Sequence, residues 1–494
     1  MDEMAADAPI LSTDSPRSTM TSSFAKKSPD QILSFFGPRN IFLAAVFAFM
    51  SVIWGLAAMP MMASAFFMGK VCTDAETNCT GTPGTVAYDF DLNGPRSYLA
   101  DITTTAFLIG NAIGSSLITR LSDTRGRRPT LACSLLILGL SGSVSALSPN
   151  IYFFAVCRLI QGFFFAGCVI INWVLAYECC PHLLRPYTAL VFGLMWVVGY
   201  CLLAPLDFLL QSWKPFMVAL SIPSVFYAFA VQFWASESFH YCVTNQKKNE
   251  AVKFVTRCNK GAKVQLDPAE LDHLFSDTIS EGSGEAQRPT GNHGLFYELK
   301  RQKILIVYTI VLGYLWTCDA FIYYGLSLFS TELAGNRYLN FVLSGLVEAP
   351  SYLVSPLCLR VLGRRWFVAL AHFTTAVAFF GVIFISNPTV YLILWLIGKF
   401  GIACALTALF VYASEVFPTT VRSGCIGFCS TVGRLGGALA PSVRLLGVLH
   451  PQLPNILFIC MATVGGGITF ILPETAGREL PDEAGESVNS VDDA

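Results

Sequence analysis

From Ile41 to Met68 the chain carries no charged side chain at all, and eleven more apolar blocks of about 20 residues follow it. At about 1.5 Å per residue, a block of that length as a helix spans a hydrocarbon layer about 30 Å thick. Lipid offers no partner to a backbone amide, so each block must close its own hydrogen bonds as an α-helix. The alternative, a membrane barrel, needs strands of about 10 residues alternating apolar and polar. These blocks do not alternate. Composition agrees: 54% of the residues are hydrophobic and 13% charged, whereas soluble domains carry about 25% charged residues.

Twelve spans are expected, at 41–68, 98–121, 130–148, 151–177, 187–210 and 215–235, then 303–328, 339–361, 366–386, 389–413, 423–447 and 453–472. The chain then divides into a tail (1–40), a six-helix bundle (41–235) with an outer loop at 69–97, a charged linker (236–302), a second bundle (303–472) and a closing tail (473–494). The first 38 residues are polar and contain no apolar core of a signal peptide, so targeting is expected to fall to the first span.

Lys and Arg in short loops set the orientation. Loops after spans 2, 4 and 8 hold Arg125, Arg127, Arg128, Arg185, Arg364 and Arg365; those after spans 3, 9 and 11 hold none, and those after spans 5 and 7 hold Lys214 and Arg337. Both termini are therefore expected in the cytoplasm. Loop 69–97 then lies outside, and it carries the glycosylation sequon Asn78-Cys79-Thr80. Cys72 and Cys79 share that loop and are candidates for a disulfide, while most of the other cysteines fall inside apolar blocks and behave as small hydrophobes.

The bundles repeat. Gly126-Arg127-Arg128 recurs as Gly363-Arg364-Arg365 (363 − 126 = 237). Glu178, Pro181 and Arg185 recur as Glu415, Pro418 and Arg422, and Ser236-Glu237-Ser238 as Pro473-Glu474-Thr475, all at the same offset. Three coincidences in one register indicate a duplicated six-helix unit. Carboxylates and guanidiniums at adjacent helix ends form charge-assisted pairs. Asp123, Arg127, Arg128, Glu178, Arg185, Glu237, Arg364, Arg365, Glu415, Arg422 and Glu474 are therefore candidates for a cytoplasmic gate that locks the halves together. The plainer reading makes the arginines orientation anchors, but orientation needs no acids.

These motifs resemble the major facilitator superfamily, specifically its organic ion transporters of organic cations, organic anions and carnitine. Leu121-Ser122-Asp123-Thr124-Arg125-Gly126-Arg127-Arg128 is similar to the superfamily signature, and Arg158-Leu159-Ile160-Gln161-Gly162 to an Arg-x-x-Gln-Gly motif. In the second half the likeness rests on Tyr323-Tyr324-Gly325-Leu326-Ser327-Leu328, on Gly398-Lys399-Phe400-Gly401, on Glu415 to Arg422 and on Leu472-Pro473-Glu474-Thr475-Ala476-Gly477-Arg478. The chain departs from the family in its short first outer loop and in reading Ser236-Glu237-Ser238-Phe239-His240-Tyr241 after span 6. The resemblance implies an all-α fold of twelve transmembrane helices in two pseudo-symmetric bundles, working by alternating access in the plasma membrane.

Charges inside a membrane are expensive and usually functional. Arg434 sits among Gly433, Gly436 and Gly437; Glu348 has Tyr352 one turn on; Asp319 has Tyr323 one turn on and Trp316 one turn back; Lys399 lies in span 10. With Tyr324 these are the candidate substrate contacts, and Arg158 a coupling or structural residue. The alternative is internal neutralisation, Arg434 pairing with Glu348 for instance. By resemblance, a basic residue at Arg434 fits organic anions or carnitine, and Glu348 fits cations or carnitine. Anions or zwitterions are favoured; a cation transporter and a non-transporting receptor are the alternatives. No phosphate-binding loop and no spaced histidine pair appears, so neither ATP drive nor enzymatic chemistry is expected, and no cofactor or metal. A net charge of −1 points away from nucleic acid; the expected partners are the bilayer and a small organic ion. Oligomeric state is not legible.

Overall fold

A computed structural model describes residues 29–37, 40–69, 82–92, 94–181, 184–260, 266, 271, 275 and 303–477. Asn78, Cys72 and Cys79 lie outside them. The first half comprises α1 (Pro29–Phe36), α2 (Ile41–Met62), α3 (Tyr98–Arg125), α4 (Arg127–Ser145), α5 (Ile151–Cys179), α6 (Thr188–Leu210) and α7 (Trp213–Trp234). Linker helices α8 (Phe239–Thr244) and α9 (Lys248–Asn259) follow. The second half comprises α10 (Lys303–Phe329), α11 (Arg337–Leu346), α12 (Glu348–Val361), α13 (Arg364–Phe384), α14 (Pro388–Val416), α15 (Thr419–Leu439), α16 (Val443–Leu449) and α17 (Leu453–Ile468).

Local chemistry sets the helix starts. Asn40, Asn150, Asn336 and Asn387 each accept first-turn amides through the side chain, and α14 adds Pro388 as its first residue. Two expected spans are broken. Span 8 divides into α11 and α12 because Pro350 lacks an N–H and its ring collides with the carbonyl four residues back, at Leu346. α12 therefore opens on Glu348. Span 11 breaks the same way at Pro441, inside a short 3-10 segment, Ala440–Ser442, between α15 and α16.

Among the described residues, ten helical segments are long and apolar enough to cross a membrane. The two remaining crossings, α4 and α15, are diluted by Gly, Ser and Thr, and they use the small residues to approach their neighbours. A side-chain carbon at Gly142 would strike Ser221 of α7, and one at Gly433 would strike Trp316 of α10. Packing repeats with the sequence. In the first half α2 lies on α6, α3 on α5 and α4 on α7; in the second, α10 lies on α15, α12 on α14 and α13 on α17.

Candidate functional site

Residues 237 apart make the same bonds on the face that carries the linker. In the first half Arg127 grips Glu178, with Nη2 donating to Oε1 at 2.8 Å and Nε 2.7 Å from Oε2. Arg364 does the same to Glu415, through Nε and Nη2, both at 2.8 Å. Glu237 accepts the backbone amides of Arg127 and Arg128, and Glu474 those of Arg364 and Arg365. Ser238 donates to Glu178 as Thr475 donates to Glu415. Each acid thus closes the exposed N-terminus of α4 or α13, where the helix dipole favours a carboxylate.

Gly126 and Gly363 make this closure possible. Both hold positive φ (112° and 81°), and a Cβ would come within 2.7 Å of Glu237 or 2.6 Å of Glu474. Other candidates stay outside these bonds. Asp123 reaches Arg127 only at 3.8 Å from an exposed position. Arg185 binds Asp30 of α1 and the carbonyl of Tyr177, Arg422 donates to the carbonyl of Phe417, and Arg128 and Arg365 contribute amides rather than guanidiniums.

The expected lock between halves is therefore not made by these clusters: every pair is internal to one half. Among the described residues, the bonds that cross between halves lie at mid-depth or on the opposite face. There Arg337 pairs with Asp207 at 2.8 Å, and Tyr338 donates to the same carboxylate at 3.3 Å. Arg444 contacts Asp101 at 3.9 Å and pairs with Glu332 at 2.6 Å. Thr331 donates to Ala65 and Thr105 to Ala438. Tyr200 stacks on Phe341 with centroids 4.3 Å apart. Of these residues Ala65, Asp101, Thr331, Glu332, Arg337 and Arg444 line a concavity of about 820 Å³, together with Tyr391 and Trp395. The halves are closed on this far face.

At mid-depth the intramembrane charges sort into pairs. Lys399 lies 3.0 Å from Glu348, both fully buried, and donates to the carbonyl of Tyr323 at 3.2 Å and to Ser327. Its ammonium stands 3.3 Å from the centre of the Tyr323 ring. Tyr323 donates its hydroxyl to Glu348 at 2.9 Å and accepts from the Trp196 indole of the first half at 3.0 Å. Asp319 is equally buried and lies 2.9 Å from Nε2 of His372. The expected alternative partner for Arg434, Glu348, is thus occupied by Lys399. Arg434 is half-buried on α15, and no carboxylate among the described residues pairs with it. Its neighbours Gly433 and Gly436 rest on Trp316 and Thr317 of α10, and Gly437 on Tyr324. Tyr352 crosses to the first half, where its ring covers Gly193.

Arg158 donates to the Pro60 carbonyl at 2.9 Å and to Gln161, with its guanidinium 4.4 Å from the centre of Phe107. Fully buried, it ties α5 to α2 and α3, a structural placement.

A family model described as "Sugar (and other) transporter" matches residues 44–483. The chain belongs to that family, within the major facilitator superfamily. A protein of Caenorhabditis elegans, named provisionally as a transporter, is 35% identical over 95% of this chain and 93% of its own length. Human organic anion transporter 3 is 29% identical over 81% of this chain and 74% of its own length, and the organic cation transporter protein of Drosophila melanogaster 27% over 81% and 73%. The Escherichia coli xylose transporter XylE, solved in an inward-open conformation, superposes with a TM-score of 0.63 over 90% of this chain and 98% of its own at 14% identity, which establishes the fold.

For a family transporter, sequence reasoning missed two residues at this depth. His372 is the single histidine of six placed in an apolar block, a signal open to reading. Trp196 belongs to a first-half aromatic group: Trp54 lies 5.7 Å from Trp173 and 6.1 Å from Trp196. Nothing marked it among so many aromatics.

Proposed function

We propose that this family member transports small organic ions across the plasma membrane, favouring organic anions over zwitterions such as carnitine and over cations. The observation that carries the reading is the imbalance of mid-depth charge in the second half. Glu348 is matched by Lys399 and Asp319 by His372, which leaves Arg434, among the described residues, as a cation at that depth without a counter-ion. An unpaired guanidinium in a membrane is costly, and a substrate carboxylate or sulfonate that supplies the missing charge gains charge-assisted hydrogen bonds. Trp316, Tyr324 and Tyr352 stand close enough to enclose an organic body.

With the far face closed and no linker-face bond between the halves among the described residues, Arg434 is offered toward the linker face. The positive loops make that face cytoplasmic, with both termini on it. Alternating access then follows from separating the far-face contacts and joining the linker ends.

The test is uptake into proteoliposomes of naphthalene-2-sulfonate, carnitine and tetraethylammonium. The sulfonate should be taken up in preference, and Arg434→Ala should lower its uptake at least about tenfold, as expected for removing a hydrogen bond to a charge. Unchanged sulfonate uptake in that variant overturns the charge assignment. Failure of all three probes, with protein correctly folded, would favour a receptor that keeps the fold.

A further inference from the structure

Asp319 on α10 and His372 on α13 form a polar contact in the interior of the second half. Both side chains are fully buried, and His372 Nε2 lies 2.9 Å from Asp319 Oδ1. The other ring nitrogen, Nδ1, lies 2.8 Å from the Val368 carbonyl one turn back. A carbonyl only accepts, so Nδ1 carries a hydrogen and Nε2 is the atom facing the carboxylate. A lone-pair nitrogen opposite an ionised carboxylate at that distance is repulsive. One proton must therefore sit between them, on Nε2 or on the carboxyl group. Removing it strands a carboxylate in a medium where isolated charge is penalised heavily.

Among the described residues, no other charged group forms an ion pair with Asp319 or His372. Cys318 on α10 has its sulfur within 4.8 Å of both partners and acts as a weak donor. Glycine 465 of α17 lies against the imidazole, with room for no side chain. Besides Cys318, α10 carries Lys303, Tyr308, Tyr314, Tyr323 and Tyr324, and α17 carries Cys460; Tyr314 is bonded to the Met461 carbonyl and Tyr323 to Glu348. On α14 and α12, Lys399 and Glu348 satisfy each other; the remaining ionisable groups are Tyr352, Cys358, Arg360, Tyr391, Cys404, Tyr412 and Glu415, the last held by Arg364. On α15 stand Arg422, bonded to the Phe417 carbonyl, and Cys425, Cys429 and Arg434. Imidazole and carboxylate touch directly, which suits a shared proton better than an ion held between them.

We propose that the Asp319–His372 pair is a proton-binding site through which this transporter couples organic-anion uptake to protons. The inference rests on the anionic reading of Arg434 above. Gly433 and Gly436, which flank Arg434, rest on Trp316 and Thr317, within one turn of Asp319. With the proton in place the pair is neutral, and Arg434 attracts an anion unopposed. Without it, Asp319 is a net negative charge within one turn of the Trp316–Thr317 surface on which the glycines beside Arg434 rest, and it opposes an anion bound there. Proton and anion therefore favour each other's binding, and the coupling is reciprocal. In each cycle one proton joins the pair from the side where the anion is loaded and leaves to the solution where the anion is released.

Two measurements on the purified full-length protein test it. In proteoliposomes, naphthalene-2-sulfonate is the probe because it stays ionised at every pH used. Uptake should rise several-fold with an acid exterior, inside the roughly 5- to 150-fold range of coupling between sites, and a trapped pH dye should report co-entering protons. Asp319→Asn/His372→Gln should transport without responding to the gradient; a retained response overturns the coupling. The second measurement needs no substrate: potentiometric titration of wild type against the Asp319→Asn/His372→Gln double variant, which keeps a neutral amide pair of similar size. Wild type should bind one proton more within the range pH 5 to 9. Coincident curves overturn the site even if transport is seen. A surplus proton without sulfonate uptake leaves the proton site standing and removes the anionic reading instead.

Discussion

Lys399 illustrates how a single buried ion behaves when its surroundings are complete. Its ammonium has Glu348, the Tyr323 carbonyl, Ser327 and the Tyr323 ring around it, so the cost of taking it out of water is offset by geometry. Removing one partner does not remove the other's cost. Lys399→Met should therefore destabilise the protein by about 3–5 kcal/mol, and Lys399→Met/Glu348→Gln should recover most of that, since no lone charge remains. Thermal unfolding in detergent of the two variants and wild type measures both values; equal destabilisation by single and double variants would mean the two residues do not act as a unit. The charges themselves were plain in the sequence, but their partners were not. Spacing along one helix identifies neighbours at i+4, such as Tyr323 for Asp319, and says nothing of which helix lies opposite. The sequence sets Glu348 against Arg434 as a possible pair; that Lys399 is the partner of Glu348, and His372 that of Asp319, appears only once the helices are packed.

At the scale of whole helices, the register of 237 residues proved to describe bonds as well as letters. The helix ends at α4 and α13 were legible because their glycine, arginine and acid recur together. The breaks at Pro350 and Pro441 were also there to be read, but apolar blocks suggest continuous spans, and span 8 was drawn through Glu348 rather than up to it. The caps make a prediction specific to geometry. Gly363→Ala forces a side chain into positive φ and against Glu474, so it should cost about 1–3 kcal/mol. Gly427→Ala, in a helix with open space at its Cβ position, should be neutral or stabilising by up to about 1 kcal/mol. Unfolding midpoints of the two variants separate these outcomes, and a harmless Gly363→Ala would refute the role given to that turn.

For the molecule as a whole, the position of the inter-half bonds decides which conformation rests lowest. Arg127–Glu178 and Arg364–Glu415 hold together helices that move as one body, so breaking them should lower stability without shifting the balance between states. Arg337–Asp207 and Arg444–Asp101 span the halves, so breaking them should shift the balance. Partly exposed ion pairs contribute up to about 1 kcal/mol each, and about 1 kcal/mol moves a two-state population about fivefold. Spin labels at Tyr98 and Leu449, both exposed on the far face, read that population directly once the exposed Cys133 and Cys460 are replaced by alanine. Wild type should give one short distance. Asp207→Asn/Arg444→Gln should add a longer one, and Arg364→Gln should not. A single unchanged distance in the first variant would place the bias elsewhere, in mid-depth links such as the Trp196–Tyr323–Glu348 chain and the Tyr200–Ser327 bond, by which the first half touches the charged core of the second.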